Sequence, residues 1–83
     1  MENTNTQLLD KIRNIMAEVF KVELDQVPPE LVFGDLPQWD SMGHMELMMV
    51  LEEDLGIPVT GDTITDLVSV QAIYDYKLGQ ADA

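Results

Sequence analysis

The segment Trp39-Asp40-Ser41-Met42-Gly43-His44-Met45-Glu46-Leu47-Met48-Met49-Val50-Leu51-Glu52-Glu53-Asp54-Leu55-Gly56 decides the fold. It follows a stretch rich in turn residues and changes abruptly to an apolar, acidic pattern. Leu47, Met48, Leu51 and Leu55 recur at i, i+1, i+4 and i+8, the spacing of a helix that buries one stripe. Gly56 suits the C-terminal cap and Pro58 forbids continuation, so the pattern predicts a helix over residues 41–55. Asp40 and Ser41 are both N-cap types, because their side-chain oxygens accept backbone N–H groups that the first turn leaves unpaired. A hydroxyl there is exposed on a rigid element, and a phosphate bonded to it is favoured by those amides and by the helix dipole. Met42, Met45 and Met49 fall on a neighbouring face; with Met48 they make four methionines in eight residues. Unbranched thioethers repack easily, so this face suits varied partners or cargo.

Upstream, Leu8, Ile12, Ile15, Met16, Val19 and Phe20 recur at helical spacing and predict a first helix over residues 6–20, with Thr4, Asn5 or Thr6 available to cap it. Pro28-Pro29, Gly34-Asp35 and Pro37 then break residues 21–39 into a loop. Such length is unusual for a loop, but Val27, Leu31, Phe33, Leu36 and Trp39 are spread along it and can anchor it across the helices. Downstream, residues 62–67 suit a short helical turn, and Ser69 can cap a last helix running to about Leu78, with Val70, Ile73 and Tyr74 inward and Gly79 near its stop. Strand-like alternation is weak and no repeat is visible. The expected fold is all-α: one domain over residues 1–83, a small bundle of three main helices plus one short helix.

Eighty-three residues with 46% hydrophobic content are enough for one modest core. Net charge is −12, and residues 22–76 hold 12 acidic side chains and no Lys or Arg. That field repels nucleic acid and attracts basic protein surfaces. No cysteine is present, which excludes disulfides, a thiol nucleophile and thiolate metal sites. The N-terminus is polar and no membrane-spanning apolar run occurs, so a soluble, cytoplasmic, monomeric protein without stable membrane insertion is expected.

Enzyme chemistry finds little support. His44 has no cysteine or second histidine with which to hold a metal. It lies three residues after Ser41 on the same helix face, so the two side chains leave a common helix instead of converging as a nucleophile and base would. A helix-surface or core-margin role fits His44 better. No twelve-residue run has the spacing of a helix–loop–helix calcium site.

With these residues in place, Asp40-Ser41-Met42 resembles the Asp-Ser-Leu attachment motif of acyl carrier proteins, with Met for Leu. Glu46-Leu47-Met48-Met49-Val50-Leu51-Glu52-Glu53 looks like the recognition helix of that family, and Val70-Gln71-Ala72 resembles the start of its last helix. Register holds without a gap from Ser41 to Tyr76. The resemblance implies that Ser41, with Asp40 beside it, accepts 4′-phosphopantetheine from coenzyme A through a separate phosphopantetheinyl transferase. The arm's thiol then carries acyl groups as thioesters between acyl-loading, synthase and acyltransferase enzymes of a fatty-acid, lipid or polyketide-type pathway. Basic patches on those enzymes would dock on Met42, Met45, Glu46, Met49, Glu52 and Glu53, and the acyl chain would be measured by Leu51, Ile64 and Leu67 with Met45. The chain would be a carrier, itself no enzyme.

Several positions depart from the central fatty-acid carriers: Trp39 precedes Asp-Ser, Gly43 stands for an acid, Thr60 for a proline, and the short third helix has only Asp62 and Asp66. These favour a specialised carrier whose indole and missing acid alter docking. Two alternatives stay open: an aminoacyl or peptidyl carrier, and an acidic helical interaction module with no cofactor.

Overall fold

The computed structural model describes residues 4–82 and is helical, with no strand among them. Helix α1 spans Thr4–Phe20 and buries Ile12, Ile15, Met16 and Phe20, the i, i+3, i+4, i+8 stripe of an amphipathic helix. It starts two residues before the expected Thr6, so Thr4, Asn5 and Thr6 lie in its first turn and the residue that precedes it falls outside the described part. Lys21 ends it in the left-handed region at φ 59, while the Val22 N–H reaches back to the Ala17 carbonyl at 3.0 Å.

The long connection is anchored, as its apolar spacing predicts, at every expected position except Phe33, which is 41% exposed. Val27, Leu31 and Trp39 are buried in the common core, Leu36 is half-buried, and a 3₁₀ turn forms at Leu24–Gln26. Arg13 of α1 ties the connection down: Nε donates to the Val27 carbonyl at 2.6 Å and Nη2 to that of Leu24 at 3.3 Å. Further along, the chain pairs with the segment before the last helix, Phe33 N–H to Val68 O at 2.8 Å and Val70 N–H to Leu31 O at 3.0 Å, around one antiparallel bridge of Val32 and Ser69. Two loops distant in sequence are thereby held side by side.

Helix α2 spans Ser41–Leu55 with the predicted bounds. Asp40 is its N-cap, Oδ1 accepting the Gly43 N–H at 2.9 Å, and Gly56 closes it at φ 71, where a side chain would be strained. Helix α3, Gly61–Asp66, is one residue earlier than expected, because Thr60 makes a capping box with Thr63. That gives Thr60 its reason: the hydroxyl accepts an amide that proline in its place would leave unpaired.

Helix α4 spans Val70–Asp82, capped by Ser69, whose hydroxyl accepts the Ala72 N–H at 3.0 Å. It passes through Gly79, where a stop was expected. A mid-helix glycine costs about 1 kcal/mol against alanine, but the same turn is held from outside by Lys77 Nζ on the Leu55 carbonyl at 2.6 Å and Gln80 Nε2 on the Gly56 carbonyl at 3.4 Å. Helix α1 packs on α2 and α4, α3 packs on α2, and one core joins all four helices and the loops. No helix among the described residues is long and apolar enough to cross a membrane.

Candidate functional site

Asp40, not Ser41, fills the capping position, so Ser41 is the first residue of α2 and its side chain is exposed. The Asp40 carbonyl accepts the His44 N–H at 2.7 Å while its carboxylate holds the Gly43 amide. Gly43 is buried, and a Cβ there would sit inside contact distance of the Gln38 carbonyl oxygen. Its lack of a side chain therefore serves the close approach of the 37–39 turn to α2 and does not open a docking site. Trp39 likewise is 0% exposed. The expectation that a bulky indole beside Ser41 reshapes the docking surface fails: the indole lies within the core, stacked obliquely on Phe20 with ring centres 5.7 Å apart.

Ser41 stands at the edge of an open cleft of about 250 Å³ whose walls are Phe33, Ser41, His44, Met45, Ile64 and Val68. The walls are mostly apolar. Of the residues proposed to measure a chain, Ile64 and Met45 line this cleft, whereas Leu51 and Leu67 are buried in the core at 0% and 2% exposure. The helical spacing of Leu51 with Leu47 and Leu55 already marked it for burial, whereas no periodicity marked Leu67. Phe33, His44 and Val68 are cleft residues that sequence reasoning did not place there. Phe33 and Val68 come from loops brought together by backbone pairing, which no side-chain periodicity reveals. For His44 a signal existed, its position one turn after Ser41 on the same face.

The histidine is buried at 5% exposure, with both ring nitrogens engaged. Nδ1 lies 3.1 Å from Trp39 Nε1 and Nε2 lies 2.8 Å from the Ile64 carbonyl oxygen. It therefore belongs to the core margin and is turned away from any nucleophile-activating role toward Ser41. Among the described residues no group of three or more acidic or histidine side chains is placed to hold a metal ion.

Along α2 from Ser41, Met42, Met45 and Met49 are 80%, 42% and 59% exposed, Met45 also lining the cleft, and Glu46, Glu52 and Glu53 are exposed with them, whereas Met48 is fully buried. The proposed partner residues thus share the accessible side of α2. Lys21 approaches them, lining a shallow groove with Val19, Glu46, Met49, Val50 and Glu53.

The family model of the phosphopantetheine attachment site matches residues 10–76, most of the chain. The chain belongs to that family. It is similar to the acyl carrier protein of Thermosynechococcus vestitus, 31% identical over 86% of this chain and 88% of the relative. It is also similar to that of Cyanidioschyzon merolae, 31% identical over 90% and 82%, and to that of a Picosynechococcus species, 33% identical over 80% and 82%. As an acyl carrier protein it is acted on by enzymes and is not itself a catalyst, and its cofactor is covalently bound 4′-phosphopantetheine. The residues at the start of α2 fit that group: an exposed hydroxyl on a helix N-terminus, where a phosphodiester is favoured, at the edge of an apolar cleft.

Proposed function

We propose that Ser41 is the attachment point of the phosphopantetheine arm and that the cleft beside it receives the cargo. The observation that carries this reading is the division of labour at the start of α2: Asp40 takes the capping role, which leaves the neighbouring hydroxyl exposed at the rim of the Phe33–Val68 cleft. When bound, the arm supplies a thiol that holds an acyl group as a thioester. The chain's own residues present and shelter it. Ser41 offers the hydroxyl that a separate transferase deprotonates, and Asp40 fixes the turn that carries it. The first amides of α2 favour the phosphodiester's charge. Ile64, Val68, Met45 and Phe33 give the acyl chain an apolar wall.

The partners are the transferase and the enzymes that load, extend or remove the acyl group. Their basic patches meet Glu46, Glu52 and Glu53, while Met42, Met45 and Met49 supply an adaptable apolar contact. Intact mass after incubation with coenzyme A and a broad-specificity phosphopantetheinyl transferase tests the attachment. The native chain should gain one arm and Ser41→Ala none. A gain in the variant, or none in the native chain, would overturn the assignment.

A further inference from the structure

We propose that His44 determines which acyl chains this carrier shelters, by tying α3 to α2 and forming the floor of the cleft; the proposal rests on Ser41 being the attachment point. Of the six residues lining the cleft, His44 is the buried one, at 5% exposure, while Phe33, Met45 and Val68 are 41%, 42% and 37% exposed. The donor inventory fixes its tautomer. An indole N–H can only donate, so Nδ1 accepts from Trp39 at 3.1 Å and Nε2 carries the hydrogen that is donated to the Ile64 carbonyl at 2.8 Å. The ring also meets Phe33 edge-on, centres 5.7 Å apart. One side chain thus joins the loop, the first turn of α2 and the last turn of α3.

Helix α3 needs such a tie. Its six residues are far below the roughly 12–15 at which a helix begins to stand alone in water. The Ile64 carbonyl is one of the terminal carbonyls that a helix leaves without an internal donor. Among the described residues, the hydrogen bond that crosses from α2 to α3 is the one His44 makes. The cleft it floors holds about 250 Å³, below the roughly 300–1,000 Å³ of sites that enclose a drug-sized ligand. A longer chain can enter only if α3 moves off α2, which breaks the His44–Ile64 bond, or if the imidazole leaves its place. The closed arrangement therefore shelters short acyl groups and leaves the ends of long ones in solvent.

The holo protein, loaded on the arm with a graded series from butyryl to palmitoyl, tests this with two readouts: thioester cleavage by hydroxylamine, and amide hydrogen exchange over residues 61–68. The native chain should protect the short thioesters and lose protection at a boundary within the series. His44→Leu keeps comparable bulk without polar atoms. It should speed exchange in α3 about tenfold, the worth of one net hydrogen bond, and move the boundary to longer chains. His44→Gln, whose amide keeps a donor for the Ile64 carbonyl, should stay close to the native profile. A role in packing alone would order the variants the other way, with leucine the better replacement. Should His44→Leu fail to fold, Trp39→Phe removes the indole N–H that Nδ1 accepts, together with part of the buried ring system, and should shift the boundary in the same direction. An unchanged boundary and unchanged α3 exchange in a folded His44→Leu or Trp39→Phe protein would overturn the proposal while loading remains normal. Failure of the native chain to gain mass with the transferase would instead overturn the reading of Ser41, and this role with it.

Discussion

A glycine in the first turn of a helix is ordinarily a weakness, and replacing it with alanine gains up to about 1 kcal/mol. At Gly43 the sign should reverse, because the added Cβ would be driven into the Gln38 carbonyl. Gly43→Ala is expected to lower stability by about 1–3 kcal/mol, the usual cost of overpacking, as read by urea denaturation; a stabilised variant would mean that the turn before α2 yields easily. Asp40 separates two roles in the same way. Asp40→Ala removes the cap on the Gly43 amide and should cost about 0.5–2 kcal/mol, whereas Asp40→Asn keeps a capping oxygen and should be nearly neutral. If the Asn variant melts normally yet is modified slowly by the transferase, the carboxylate's charge matters to the reaction beyond its cap. At this scale the sequence was legible where a residue's chemistry is local, as with Asp40, Ser41 and Ser69. It misled where meaning depends on what lies opposite. Neither the burial of Trp39 nor the contact that demands glycine at residue 43 is visible without the neighbouring chain.

Helix α2 ends on Glu52, Glu53 and Asp54, three acids where the dipole already disfavours negative charge. Lys77 of α4 answers them by donating to the Leu55 carbonyl at 2.6 Å, with Gln80 3.3 Å away. Lys77→Met should therefore cost about 1.5–3 kcal/mol, the range for a hydrogen bond from a charged donor, and should fray the last turn of α4 in hydrogen exchange; an unchanged melt would show that the acids are screened without it. Conversely Glu53→Gln, or millimolar magnesium, should raise the melting temperature by relieving like-charge crowding of a few tenths of a kcal/mol to about 1 kcal/mol per group. A lowered or unchanged midpoint by circular dichroism would contradict that account. The bounds of α2 were readable because cap, periodicity and stop signals agree on them. The end of α4 was not. Gly79 is a stop signal that contacts from the α2 terminus override, and such contacts leave no trace in local sequence.

Across the whole molecule the dominant property is its charge of −12, with no Lys or Arg between residues 22 and 76. Glu46→Lys or Glu52→Lys should slow association with the transferase roughly several-fold at low salt. The loss should shrink as salt rises, since screening sets in over about 10 Å at 0.1 M ionic strength; equal rates at low salt would assign the acids to solubility alone. The bundle, its long anchored loop and the serine at the start of α2 could all be anticipated, because each rests on patterns carried by consecutive residues. The cleft could not, since it is assembled from two loops and two helices whose approach is fixed by the Phe33–Val68 backbone pairing and the His44–Ile64 hydrogen bond. The absence of cysteine gives the central claim its most direct test. Every thiol on the modified protein must belong to the arm, so titration of the denatured holo protein should find one thiol per chain, and the Ser41→Ala protein treated identically should show none. A thiol retained in the variant, or none in the native holo chain, would contradict attachment at Ser41.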